Sequence, residues 1–356
     1  MKRPALIIII TAVALLTLSA AYIFSGTLSP EDIQSTDKEQ SSSLGGIQEY
    51  APEDIAVFEK YSAYIKEYSA KPLEDIIIAS AKFFLETPYV AATLEKEPEQ
   101  LVVNLRELDC VTFVENVYAL SYTAHNGEPT FEKYCGNLKN IRYRNGEAGD
   151  YTDRLHYTSD WLFENQRKGL VVLLSGKSQQ SPTAFTLNIM SSNPEVYKQL
   201  KGNQLLIDKI IAIEKEASGR EFLYFPKNKI ESARNHFKNG DMVALVTSNK
   251  GIDISHVGLI YFDSDRLTFI HASSREKKVV IEKLSLQDYC IPTKSNMGII
   301  VARPQSTGEN SRPEQEGNST RSDSEYRSSI CKQDRLQKPN ALPYTTPYLS
   351  SLQPWR

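Results

Sequence analysis

The chain has 356 residues, a formal net charge of -3, and ordinary apolar (40%) and charged (24%) content, enough for one large domain or two modest ones with a real core. The nearly balanced charge excludes a global basic field that would draw nucleic acid or anionic lipid. Cys110, Cys135, Cys290 and Cys331 show no Cys-x-x-Cys spacing, which argues against a zinc ribbon or a disulfide framework and leaves a single bridge, Cys135 to Cys290, open.

In chain order, the basic Met1-Lys2-Arg3-Pro4 precedes an uncharged run from Ala5 to Pro30. Residues 1–25 read as an export signal with small residues Ser19, Ala20 and Ala21 for cleavage, or as a retained anchor, since the apolar part is about 20 residues long. Both readings place the body in the periplasm or cell envelope, with contact to a membrane through this anchor alone. Residues 26–50, rich in Ser, Gly, Asp and Gln, read as a flexible tether. Helical spacing predicts helices over 52–68 and 73–85, broken by Thr87-Pro88-Tyr89. Leu101 to Leu105 predicts a strand or an extended approach to the next helix.

That helix starts at Cys110, with Asp109 as N-cap and Val111, Val114, Val117 and Tyr118 on its buried face, and ends near Asn126-Gly127. A thiol at a helix start lies at the positive end of the dipole, which favours thiolate. A lone cysteine on an apolar helix is more often a small core residue, so a nucleophile here needs a base elsewhere. Residues 127–239 change periodicity repeatedly and read as an α+β insertion. Within it, Arg154, His156 and Trp161 are the residue types that line a sugar or peptide cleft, with an amphipathic helix start as the competing reading. Asn193-Pro194 is predicted to open a long helix through Glu216, closed by Gly219.

From Gly240 onward, short runs rich in Val, Ile and Tyr (242–247, 255–262, 267–273, 279–284 and 297–302) predict a meander of antiparallel strands. The fold class is thus α+β, with one domain over 51–304. Residues 305–356 hold too few clustered apolar residues to offset the entropy of folding and read as disordered.

Of the five histidines, His256 and His271 fall in the strands. With a turn at 263–266, Phe262 pairs with Leu267, Gly258 faces His271, and the two imidazoles share a face one diagonal step apart, Cβ atoms about 7 Å from each other. Acyl transfer needs a thiolate to attack, an imidazole to hold and return the proton, and a polar group that fixes the imidazole tautomer. Two core histidines are the structural alternative. A zinc site on Cys110, His256 and His271 is a third, disfavoured because no second cysteine or His-Glu-x-x-His helix accompanies them. His125, His156 and His236 lie in polar, loop-like contexts.

Asp109-Cys110-Val111-Thr112-Phe113, Ser255-His256-Val257-Gly258 and Ile270-His271-Ala272-Ser273, with Pro88-Tyr89 upstream, resemble the NlpC-type, papain-like cysteine hydrolases that cut bacterial cell-wall peptides. Leu-Asp-Cys-Val-Thr-Phe-Val-Glu at 108–115, Arg-Leu-His-Tyr at 154–157 and Tyr-Phe-Pro-Lys at 224–227 resemble more specifically the N-acetylmuramoyl-L-alanine amidase-like subfamily, first catalogued as a domain of unknown function. The broad superfamily's Asp-Cys-Ser-Gly is Asp-Cys-Val-Thr here, a departure that bears on the bond cut.

The resemblance spans about Pro52 to Pro304 and implies a papain-like core, the nucleophile helix packed on an antiparallel sheet. It implies Cys110 as nucleophile, His256 as general base and acid, and His271 as orienting member. Tyr89, Asp109 and Ser255 fall on the substrate side, with Arg154, His156 and Trp161 as candidate sugar contacts. It implies no cofactor or metal. The expected substrate is the amide between the lactyl group of N-acetylmuramic acid and L-alanine, in peptidoglycan or muropeptide fragments. A stem-peptide endopeptidase of the same fold and a non-enzymatic cell-wall binding protein are the alternatives.

Overall fold

The computed structural model describes residues 48–176 and 179–306. The expected leader, most of the tether and the tail beyond Ser306, with Cys331, lie outside the described residues. Gln48–Glu49 (β1) pairs in parallel with Leu101–Val102 (β2), so these two tether residues belong to the folded body and the expected strand at 101–105 is shorter than read.

Helix α1 (Pro52–Ile65) has proline at its first position and Glu53 and Asp54 in its first turn, where unpaired amides favour acidic groups. After a short 3-10 turn, Lys66–Tyr68, comes α2 (Leu73–Phe83). Helix α3 (Cys110–His125) is buried at every position from Cys110 to Ala124, which makes it the core helix. Its polar side chains are satisfied inside: Asn116 Nδ2 donates to Thr112 O (2.8 Å), Ser121 Oγ to Val117 O (2.7 Å) and Thr123 Oγ1 to Ala119 O (2.6 Å). Helix α4 (Phe131–Arg142) packs beside α3, capped by the Thr130 hydroxyl.

The insertion is mixed, as expected: α5 (Thr158–Arg167), β3 (Val171–Leu173), β4 (Ser181–Ala184), the short α6 (Ile189–Ser192), α7 (Gln204–Ser218) and β5 (Glu221–Pro226). Asn193-Pro194 does not open the long helix. It starts a 3-10 turn, Pro194–Val196, and α7 begins at Gln204. Gly202 at φ +70° breaks the path, and Asn203 supplies the cap by accepting from Leu206 N at 3.2 Å. Gly219 does close the helix.

Strands β6 (Met242–Thr247), β7 (Ile254–Asp263), β8 (Arg266–Ser273) and β9 (Lys278–Ile281) form the expected antiparallel meander. After α8 (Leu286–Cys290), the last strand, β10 (Asn296–Pro304), departs from it and returns between β5 and β6. The eight-stranded sheet runs β4-β5-β10-β6-β7-β8-β9, with β3 also on β10. Beyond β9, a strip at 86–90 continues the pairing: Glu86 N donates to Val279 O (3.0 Å), Tyr89 N to Lys277 O (2.9 Å) and Leu108 N to Pro88 O (3.0 Å).

Alternation along the strands sorts the core into two layers. Ala244, Val246, Val257, Leu259 and Ile270 pack with α3, whereas Val243, Leu245, Ile260, Leu267 and Phe269 pack with Phe225, Phe237, Leu286 and Cys290. This corrects the disulfide reading: Cys135 belongs to the first layer and Cys290 to the second, with the sheet between them, and both are free and buried. Among the described residues no helix is long and apolar enough to cross a membrane.

Candidate active site

Asp109 has extended backbone (φ -94°, ψ -177°), and its Oδ1 accepts from Val111 N (3.0 Å), Thr112 N (2.8 Å) and Thr112 Oγ1 (2.9 Å), while Asp109 N donates back to Thr112 Oγ1 (2.8 Å). This reciprocal cap fixes the first turn and sets Cys110 at the first helical position, 2% exposed. The carboxylate expected on the substrate side is therefore a structural cap, itself buried. Tyr89, half-buried in the 86–90 strip, stands beside the thiol. Burial first, then the charges of Cys110 and Asp109, raise its hydroxyl above the usual range, which keeps it a proton donor.

The histidines sit as the register arithmetic predicts, with Phe262 opposite Leu267 and Leu259 opposite Ile270. His256 Nε2 lies 2.6 Å from His271 Nδ1, the rings nearly perpendicular with centroids 4.8 Å apart. Gly258 makes room for this pair: a Cβ there would lie 2.7 Å from Phe269 Cδ2 and 3.0 Å from His271 Cβ. Both imidazoles share the layer of Leu245 and Phe269, the face opposite the one on which α3 packs. Tyr289 on α8 ties the two sides together, its ring 5.8 Å from His271 and its hydroxyl within the electrostatic reach of Cys110 and of Glu282.

Glu282, just past β9, was not singled out from sequence. Its Oε2 is 3.5 Å from His271 Nε2, a buried nitrogen without a hydrogen-bond partner. That is long for a hydrogen bond, so the carboxylate acts on the ring chiefly through its charge. Burial holds both imidazoles below their usual values, His256 further lowered by the His271 ring, with Glu282 pulling the other way. Adjacent His271 is the largest influence on Glu282 and holds its carboxyl at about 2. Glu282 also lines an open cavity of about 420 Å³ with Glu86, Arg275, Glu276 and Lys278.

Register arithmetic was the signal that finds Glu282. Its amide donates to Phe269 O at 2.9 Å, which puts it opposite Phe269 and one diagonal from His271. Tyr289 had no such signal, because it comes from α8, a helix between β9 and β10 that lies outside the strand register.

The remaining expected contacts fall elsewhere. Arg154 is 1% exposed and paired with Glu95 (3.0 Å) and Glu99 (3.4 Å), and Trp161 is 1% exposed with Nε1 donating to Glu115 (3.2 Å); ion pairing holds the first in the interior and packing in the α3 core layer holds the second. His156 Nε2 contacts Tyr151 O at 2.7 Å, its ring against the Tyr151 ring. Ser255 Oγ donates to Leu245 O on the neighbouring strand (3.3 Å). Among the described residues no group of three His, Cys, Asp or Glu side chains is arranged to hold a metal ion.

Residues 79–299, more than half of the chain, match the model of the AmiA-like family, described as N-acetylmuramoyl-L-alanine amidase-like. Among solved structures, an N-acetylmuramoyl-L-alanine amidase from Bacteroides uniformis is 35% identical at a TM-score of 0.63, the match covering 65% of this chain and 99% of that one. A Bacteroides fragilis protein provisionally named a xylanase is 38% identical at a TM-score of 0.61, over 63% of this chain and 99% of that one. A Legionella pneumophila protein at 22% identity and a TM-score of 0.53, over 70% of this chain and 96% of that one, shares the fold. Comparison with curated proteins finds no match.

Proposed function

The chain belongs to the AmiA-like, N-acetylmuramoyl-L-alanine amidase-like family, and from that premise we propose that it cleaves the amide between the lactyl group of N-acetylmuramic acid and L-alanine by cysteine-dependent acyl transfer. The observation that carries the reading is the 2.6 Å contact between His256 and His271, with Tyr289 in the field of both this pair's carboxylate partner and Cys110. A papain-like, NlpC-type core accounts for a cysteine-first helix packed on such a sheet. The uncharged leader is assigned to export, as a cleaved signal or an anchor, which protease accessibility in intact cells and in spheroplasts reads directly.

In this reading the Cys110 thiolate attacks the lactyl carbonyl carbon, His256 having taken its proton, and the carbonyl oxygen becomes an oxyanion. Val111 and Thr112 amides are already bonded to Asp109, so the Tyr89 hydroxyl is assigned as a donor to that oxyanion. Collapse of the intermediate breaks the C–N bond, with His256 protonating the departing L-alanine nitrogen. Water, deprotonated by His256, then hydrolyses the thioester to free the lactyl carboxylate and regenerate the thiol.

The provisional xylanase name of the Bacteroides fragilis neighbour sets up a second reading, glycoside hydrolysis. That chemistry runs on a facing pair of carboxyl groups. The groups assigned to the reaction here are a thiol and two imidazoles, which suits acyl transfer. The test is mass analysis of muramyl-L-alanine and muramyl peptides, and of xylan oligomers, incubated with the full chain and with Cys110→Ala. Free L-alanine or intact stem peptide from the wild type alone supports the reading. A muropeptide shortened within its stem identifies an endopeptidase, and release by C110A would falsify the nucleophile.

A further inference from the structure

Resting on the assignment of Cys110 and His256 as the reacting pair, we infer that Glu282 is a positioning residue that sets the direction of both imidazoles. Its carboxylate is fixed at one end: Oε1 accepts from Lys283 N (2.8 Å) and Leu284 N (3.0 Å), which leaves Oε2 toward His271 Nε2 at 3.5 Å. The backbone below it is anchored as well, by Glu282 N to Phe269 O (2.9 Å) and Thr268 Oγ1 to Glu282 O (2.8 Å).

The consequence follows from donor and acceptor counting. An ionised carboxylate only accepts, and a neutral imidazole carries one N–H and one lone pair. Holding the proton on His271 Nε2 faces it to the negative charge, whereas holding it on Nδ1 would turn a lone pair to that charge. The first tautomer is favoured, so His271 Nδ1 is an acceptor. At 2.6 Å, His256 Nε2 must then donate to it. That leaves Nδ1 as the basic nitrogen of His256, the one able to take a proton from a thiol. One carboxylate thus polarises two rings, and no proton has to reach Glu282.

Other charged or titratable groups around His271 are His256 on β7, Tyr289 on α8, and Glu276 and Arg275 on the β8–β9 turn. Arg275 Nη2 is 3.9 Å from Glu282 Oε2, and with its side chain 69% exposed, solvent screens its influence. The carboxyl, held at about 2, stays ionised throughout the neutral range.

The test uses the full chain as wild type, Glu282→Gln and Glu282→Asp. Imidazole nitrogen NMR reads the tautomers, iodoacetamide alkylation reads Cys110 against pH, and muramyl-L-alanine hydrolysis gives kcat and KM. Expected are His271 protonated at Nε2, a roughly 10–100-fold fall in neutral-pH alkylation rate and in kcat for E282Q, the scale of losing an outer group that orients a reacting side chain, an unchanged KM, and partial recovery in E282D. His271 protonated at Nδ1 in the wild type overturns the inference, as does an alkylation rate in folded E282Q equal to wild type. Should E282Q fail to fold, the wild-type tautomer alone decides. If wild type leaves the muramyl amide intact while alkylation still depends on Glu282, the substrate assignment fails and the positioning role stands.

Discussion

Two buried polar networks touch the same helix, and they are built for opposite purposes. Beyond the first turn of α3, Glu115 Oε2 accepts from Arg142 Nε (2.8 Å), its Oε1 accepts from Trp161 Nε1 (3.2 Å), and Arg142 Nη1 reaches Val102 O (2.6 Å). The Arg142 guanidinium stays charged at any ordinary pH, and the network clamps α3 to α4, α5 and β2. At the start of α3, Cys110 lies within electrostatic reach of Tyr89 and Tyr289, and Tyr289 packs on His271 of the chain His256–His271–Glu282, whose two imidazoles burial holds neutral and which can each take up a proton. Burial of charge therefore does not separate function from scaffold. Freedom to gain or lose a proton does.

The sharpest way to break that contrast is Cys110→Ala, which is expected to lower muramyl-L-alanine hydrolysis by about 10⁶-fold, the scale of removing a nucleophile, while the urea midpoint stays near wild type. A C110A protein that hydrolyses the substrate would remove the functional half of the comparison. Arg142→Leu attacks the other half. It strands the Glu115 carboxylate in the core at a cost of about 3–5 kcal/mol, read by urea unfolding, and a shift below 1 kcal/mol would show that the clamp is dispensable.

Acid titration of stability separates the networks more finely. The folded values of His256 and His271 lie below 6.5, so as pH falls past 6.5 the unfolded chain binds protons that the folded chain refuses, and stability declines. Glu282 works in a lower window. Its folded value of about 2 against 4.5 gives stability that is present above 4.5 and lost as pH falls toward 2. The urea midpoint should thus begin to fall near pH 6.5, and in His256→Gln that first slope should shrink; an identical slope would mean the imidazoles are not held neutral. The smallest effect expected is that of Asn203→Ala, about 1 kcal/mol from a lost helix cap, with Cys110 alkylation unaffected.

What could be read from sequence was whatever is local or periodic. The cap Asp109, the helix from Cys110 and the pairing of Phe262 with Leu267 all follow from spacing alone, and the His256–His271 approach follows from that register. Non-local choices were hidden. Nothing in the spacing of 296–304 says that β10 inserts between β5 and β6, and nothing around Arg154 or Trp161 says that Glu95, Glu99 and Glu115 will draw them inside. Polar and aromatic side chains in such a stretch suggest a cleft because sequence shows residue type and not the partner. The start of α7 was missed for a local reason, since Asn193-Pro194 and Asn203 both present cap chemistry and only the φ of Gly202 decides between them.

The strip at 86–90 has a role beyond carrying Tyr89 to the thiol. A sheet margin with unpaired amides and carbonyls is a template onto which a neighbouring chain can add a strand. Here the strip occupies the outer rim of β9 through Glu86, Thr87 and Tyr89, and Pro88 within it lacks an amide to offer. At the opposite rim, β4 carries Pro182. The loop that sets Tyr89 near Cys110 thereby also guards the molecule against edge-to-edge aggregation, so loosening it would register in light scattering as well as in turnover.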